Sequence, residues 1–226
     1  MLLLAIDTSG KQGSIALARA KDASAHDLEL IEIAALTGGT FSAQLVPEIG
    51  ALLSRHAFNK SEIAAFAVAS GPGSFTGLRI GLAVVKALAE VLQKPIAPVS
   101  LLEACVLSSG LEGKIMAALD AGRGDFYLGE YVVPANSGIL RREYLLSQRE
   151  LASAAEGWKL VTPDASVAHA VTASGGSVLR LEPMTAAAIA QVGWQKIRSG
   201  ETVSAEGLEA NYIRRTDAEM LERIGS

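Results

Sequence analysis

Leu2-Leu3-Leu4-Ala5-Ile6-Asp7-Thr8-Ser9-Gly10 opens the chain, and Ser14-Ile15-Ala16-Leu17-Ala18 follows after a short polar turn. An apolar run that halts at Asp-Thr-Ser-Gly reads as a buried strand, and the second run as its hairpin partner. Leu28 to Leu36 supplies a third strand. From Phe41 to Phe58, Leu45, Ile49, Leu52 and Leu53 recur at helical spacing, with Pro47 acceptable only near the first turn. Ala64 to Ala69 reads as a strand, then a glycine-rich turn and a long helix from about Thr76 to Gln93. The order is β-β-β-α-β-α.

The second half repeats it. Ile115 to Leu119 is apolar and ends at Asp120-Ala121-Gly122-Arg123-Gly124, and Phe126 to Val133 and Ile139 to Leu146 read as two more strands. A helix from Gln148, a strand near Leu160-Val161 and an amphipathic helix from Pro183 to Arg198 complete the set, with Pro183 in a permitted first-turn position. Asp7 and Asp120 close corresponding first strands. Hairpin strands followed by alternating helix and strand make a mixed sheet covered by helices. The expected fold class is α/β: a two-lobed actin-like, ribonuclease-H-like fold of the ASKHA type with a duplicated unit. The lobes are read as 1–105 and 106–226.

At roughly 150 residues per domain, 226 residues make about one and a half domains. Half the residues are hydrophobic and 19% are charged, which excludes a disordered tail or a coiled-coil rod. The net charge of -4 denies the chain the global positive field of a nucleic-acid binder, so any RNA contact has to be local or shared. The apolar runs stop well short of the roughly 20 residues that span a bilayer. The N-terminus has no basic leader pattern, and the single Cys105 has no partner for an intramolecular disulfide, so the expected location is the cytoplasm, away from any membrane.

Two segments could carry chemistry. Asp7-Thr8-Ser9-Gly10 fits an actin-like ATPase turn, in which an acidic residue organises a hydrated cation while amides and hydroxyls approach phosphate. With Asp120 facing it across a cleft, the pair would form a nucleotide site. Alternatively, Asp7 simply caps its own turn. The second segment is Ser70-Gly71-Pro72-Gly73-Ser74-Phe75-Thr76-Gly77-Leu78-Arg79-Ile80-Gly81. It lacks the Gly-Lys-Ser/Thr ending of a phosphate loop and is not Gly-x-Gly-x-x-Gly. Gly77 and Gly81 share a helix face and cost about 1 kcal/mol each relative to Ala, so a close backbone neighbour should offset them. That neighbour is either the chain's own sheet or a helix of another subunit. His26, His56 and His169 are far apart and lie in no nucleophile or metal motif, and Cys105 sits among apolar residues as a buried thiol. Arg141-Arg142 and Arg214-Arg215 are small basic spots, and Tyr212 to Arg215 could touch a phosphate backbone or a partner.

Ala5-Ile6-Asp7-Thr8-Ser9, the block Gly71 to Gly81, Pro98-Val99-Ser100-Leu101, Leu119-Asp120-Ala121 and Tyr212-Ile213-Arg214 together resemble the glycoprotease-like TsaB family of tRNA threonylcarbamoyladenosine biosynthesis. The resemblance implies a noncatalytic subunit that pairs with the related TsaD and with the ATPase TsaE. It also implies a homodimer in isolation, and contact with tRNA only through the complex. Where TsaD carries a metal-binding His-x-x-x-His pair, this chain has Leu101 and Cys105, so no metal, no catalytic residue and no cofactor of its own are expected. ATP or ADP would have its place at the joint with the partner. Where many members carry Arg or His before the Leu-Pro of the first helix, this chain reads Thr40-Phe41-Ser42-Ala43-Gln44-Leu45-Val46-Pro47.

The resemblance places the partner interface on the first-lobe helices, at Gly73, Phe75, Thr76, Gly77, Arg79, Ile80 and Gly81, which turns the glycine argument toward an intersubunit face. Asp7, Thr8, Ser9 and Asp120 then remain as vestigial nucleotide-type turns. The alternative function is an actin-like ATPase or phosphotransferase working from the Asp7 and Asp120 turns. A metallopeptidase and a direct tRNA reader are disfavoured by the missing ligands and by the acidic balance.

Overall fold

The computed structural model describes residues 1–36, 40–134 and 139–213. The opening hairpin forms as expected: β1 (Leu2–Asp7) runs antiparallel to β2 (Gly13–Arg19), with Asp7 opposite Ser14. β3 (Glu29–Leu36) extends the hairpin. After α1 (Phe41–Arg55), β4 (Ile63–Gly71) joins β1 in parallel. α2 (Phe75–Leu92) then leads to β5 (Ile96–Ser100), parallel to β4, and α3 (Leu101–Ser108) closes the half. The sheet order is β3-β2-β1-β4-β5.

The second half repeats this layout. β6 (Gly113–Gly122), β7 (Asp125–Val133) and β8 (Ile139–Ser147) form the antiparallel run. α4 (Gln148–Ala154), β9 (Lys159–Thr162), α5 (Ala165–Ala173), β10 (Val178–Arg180) and α6 (Ala186–Ser199) follow. The order β8-β7-β6-β9-β10 is the first sheet strand for strand.

Each unit is therefore β-β-β-α-β-α-β-α, one strand and one helix longer than the spacing predicts. The helix near residue 190 is the eighth element of its unit and not the sixth. The sixth is α5, whose buried anchors are only Val167 and Val171, one turn apart, too few to mark a period. Pro183 lies before α6, which Thr185 caps by accepting from the Ala187 N–H. Pro47 sits well inside α1, beyond the first turn to which the sequence reading confined it; it is exposed on the outer side of the helix.

Strand alternation sorts side chains to two faces. Leu2, Leu4, Ile6, Ile15 and Leu17 pack with Leu45 and Leu52 of α1 and with Leu78, Leu82 and Val85 of α2. The opposite face is lined by small residues, Ala5, Ala16, Ala18, Ala65, Ala67 and Ala97, against α3 and α6. Small residues let a helix come close: a Cβ on Gly193 of α6 would lie 2.3 Å from the Ala67 methyl. Ile115, Ala117, Leu119 and Tyr131 of the second sheet belong to the same core. The helices nearest the middle are exchanged, since α6 from the second half packs on β1, β4 and β5, whereas α3 from the first packs on β6 and β7. Met116, Phe126 and Leu128 pack on the far side with Leu151 of α4 and Val167 of α5.

Candidate functional site

The turn after β1 is closed by the glycine block. Ser74 donates its N–H to the Ser9 carbonyl at 2.7 Å, and Thr8 Oγ1 donates to the Gly77 carbonyl at 2.8 Å. A Cβ on Gly73 would lie 2.6 Å from the Ser9 carbonyl oxygen, one on Gly77 1.9 Å from the Thr8 carbonyl oxygen, and one on Gly81 2.4 Å from Thr8 Oγ1. These approaches are far inside van der Waals contact, so the start of α2 can lie on this turn only without side chains there. The close neighbour of Gly77 and Gly81 is thus Thr8 of the same chain. Both glycines are buried and face inward, which corrects their placement on an intersubunit face. Gly73, Phe75, Thr76 and Arg79 are exposed, and Ile80 is half-buried.

Asp7 is buried at 4% exposure, with Thr8 and Ser9 also buried. Its Oδ1 accepts from the Ser9 N–H at 2.9 Å and from Ser9 Oγ at 2.5 Å. Burial pushes the carboxyl above its ordinary value, against the opposing pull of the two Ser9 hydrogen bonds. The hydrogen bonds of the turn therefore run inward: the Ser9 amide serves Asp7 and the Thr8 hydroxyl serves α2.

Asp120 is exposed. Its Oδ1 accepts from the Gly122 N–H at 2.7 Å and its Oδ2 from Ser166 Oγ at 2.9 Å. Its own N–H donates to Asp164 Oδ2 at 2.8 Å. Burial raises the Asp164 carboxyl, against the opposing pull of the Asp120 N–H that donates to it. Cys105 lies on α3 in the core between the sheets, where burial first, then Asp164 and Asp7, push its thiol up and keep it protonated. Leu101, one turn away, is buried in the same core. Among the described residues, no group of three or more His, Cys, Asp and Glu is placed to hold a metal. His56 pairs with Glu32 at 2.7 Å, His26 meets Arg198, and His169 is exposed.

On its outer side, α2 carries a second surface. Ile80, Val84 and Leu88 are half-buried, while Ala83, Ala87 and Val91 are exposed, Val91 at 76%. Val46 on neighbouring α1 is 57% exposed. At the head of this stripe the Arg79 guanidinium lies 3.7 Å over the Phe75 ring and donates to the Tyr212 hydroxyl at 3.0 Å, and Tyr212 stacks on Phe75 at 5.3 Å. The stripe from Ala83 to Val91 went unread in the sequence, although Arg79, Lys86 and Glu90 are too few charges for a helix wet along one whole side. Arg214 and Arg215 lie outside the described residues, as does the side chain of Arg141.

The sequence pattern of the family described as "TsaD: tRNA N6-adenosine threonylcarbamoyltransferase" matches residues 35–178, well over half the chain. The chain belongs to this family. Within it the chain is homologous to TsaB. The TsaB of Escherichia coli is 27% identical over 95% of both proteins. That of Bacillus subtilis is 36% identical over 58% of this chain, a match spanning only 55% of the relative. YeaZ from Pseudomonas aeruginosa superposes with a TM-score of 0.72 at 26% identity, over 93% of this chain and 99% of the other. The duplicated sheet-and-helix plan is thus that of the glycoprotease-like fold. No described helix is long and apolar enough to cross a membrane.

Proposed function

We propose that the chain is a noncatalytic scaffold and activator in the formation of N6-threonylcarbamoyladenosine on tRNA. It pairs with a TsaD homologue, and with a TsaE homologue, in the cytoplasm, and reaches the anticodon-loop adenosine only through that complex. The plan is two-lobed and actin-like; the boundary read between 105 and 106 falls inside α3 (Leu101–Ser108), the helix that crosses onto the second sheet while α6 crosses onto the first. In isolation the chain is a homodimer through the same face, and ATP or ADP belongs to the joint with the partner.

The observation that carries this reading is the contrast on α2. Its glycine side seals the Asp7 turn, while its outer side leaves Ile80, Val84 and Leu88 half-buried at the surface and Val91 exposed. An apolar stripe with polar ends is the form of a protein-docking surface. Arg79, exposed at its head and held by Phe75 and Tyr212, offers a carboxylate of the partner a guanidinium already fixed in place. The interface therefore comprises Gly73, Phe75, Thr76, Arg79 and Ile80 with the rest of the stripe, and Gly77 and Gly81 support it from behind.

Reconstitution tests the reading. Adding the chain to TsaD, TsaE, a threonylcarbamoyl donor and tRNA is expected to raise product formation strongly over TsaD and TsaE alone. The Ile80→Glu/Leu88→Glu variant is expected to lose that effect with an unchanged circular dichroism spectrum. Full stimulation by the variant would remove the interface, and activity of the chain alone would overturn the noncatalytic role.

A further inference from the structure

The C-terminal segment crosses back onto the glycine loop. Asn211 donates its backbone N–H to the Ser70 carbonyl at 2.7 Å, and its own carbonyl oxygen would lie 2.7 Å from a Cβ on Gly71. The next residue is Tyr212, which completes the Phe75–Arg79 patch. Half of the exposed aromatic surface at the head of α2 thus comes from the far end of the chain.

Behind this segment lies Glu143, on β8 of the second sheet. Its Oε1 accepts from Ser100 Oγ, at the end of β5, at 2.5 Å, and from the Tyr131 hydroxyl of β7 at 2.7 Å. Its Oε2 accepts from the Asn211 side-chain amide. One half-buried carboxylate therefore joins the second sheet to the first and to the C-terminal segment. An ionised carboxylate only accepts, and all three neighbours donate to it. Lys196 of α6 and Glu103 of α3, paired at 2.8 Å, tie the exchanged helices nearby.

We propose that Glu143 is a positioning residue. It latches Asn211, and through Tyr212 the Phe75–Arg79 patch, to the second sheet, so that the docking face and the arrangement of the two sheets are set together. Only the consequence for partner binding rests on the docking reading; the latch stands on its own geometry.

The test exchanges donor and acceptor. Asn211→Asp removes the donor and sets two carboxylates against each other, whereas Asn211→Asp combined with Glu143→Gln restores one hydrogen bond with the roles reversed. Hydrogen exchange on the full isolated chain is followed at Asn211, whose amide bonds Ser70, at Ser74, whose amide bonds Ser9, and at Leu78. Protection at these amides is expected to fall about tenfold in the single variant and to return to within about twofold of wild type in the double variant. Amides of β6 and β9 are expected to hold their protection in both. Asn211→Ala, which deletes the donor without adding charge, is expected to give about a threefold loss.

Unchanged protection in Asn211→Asp, or a loss that the double variant does not restore, would overturn the latch. Affinity for the TsaD homologue, measured on the same variants, is expected to follow the exchange. If it stays constant while protection changes, the coupling to the docking face is overturned. A wild-type chain that does not bind the homologue defeats the docking reading instead, and the exchange result still decides the latch.

Discussion

The turn after β1 and the turn after β6 occupy the same place in the same five-strand layout and end in opposite states. Asp7 is buried beneath α2, whereas Asp120 stands in solvent. The helix that follows each neighbouring strand makes the difference. α2 and the loop leading into it bring glycine at 73, 77 and 81 and lie directly on Thr8 and Ser9. α5 is preceded by its cap residue Asp164, and this end of the helix meets Asp120 through the Asp164 carboxylate and the Ser166 hydroxyl. The same turn is thus filled with backbone in one half and bridged by polar side chains in the other. What a duplicated unit can do at this position depends on whether its second helix has side chains where it crosses the turn.

This contrast can be broken most severely at Gly77. Gly77→Ala is expected to cost about 3 kcal/mol or more in urea unfolding, because its Cβ meets a backbone oxygen that cannot swing away. A loss below about 1 kcal/mol would show that α2 can lift from the turn freely. Gly81→Ala is expected to cost less, about 2 kcal/mol, since its obstacle is the Thr8 hydroxyl. Combining it with Thr8→Ala should recover part of that loss, and strict additivity of the two would contradict the contact.

The buried carboxyl gives a smaller effect with a pH signature. Burial holds Asp7 above its ordinary 3.8, so the folded chain binds that proton more tightly than the unfolded chain does. The penalty is absent well below 3.8, where both states are protonated, grows as pH rises through the raised folded value, and is complete above it. Asp7→Asn keeps an oxygen for Ser9 and carries no charge. Its thermal midpoint is expected to exceed that of wild type at pH 7, with the advantage shrinking toward pH 3; a pH-independent difference would contradict the burial argument. The smallest effect belongs to the open turn. Ser166→Ala deletes one exposed hydrogen bond to Asp120 and is expected to change stability by about 0.5 kcal/mol or less.

The hairpin, the strand before the glycine block, the long helix after it and the repeat of the pattern were legible because each buries a periodic set of large apolar residues. α5 and β10 were not, because an alanine-rich helix and a three-residue strand bury too little to leave a period. The inner faces were hidden for the same reason: Ala5, Ala16 and Ala67 look like weak strand positions, and it is the approach of α6 that requires them. The site was legible as a list, with Asp7, Thr8, Ser9, Phe75 and Arg79 all marked by their motifs. Its geometry was read the wrong way round, because a glycine pair on one helix face announces a close neighbour without saying which.

The sequence by itself determined the duplicated α/β plan, the two Asp turns and the glycine-bearing helix, since these follow from local periodicity and turn chemistry that neighbouring residues settle among themselves. The direction in which that helix faces, the exchange of α3 and α6 between the sheets, and the meeting of Ser100, Tyr131 and Asn211 on Glu143 were decided only in three dimensions. Their partners stand tens of residues apart along the chain, and contacts at such separation are selected by packing the two sheets on one shared core, which no local window contains.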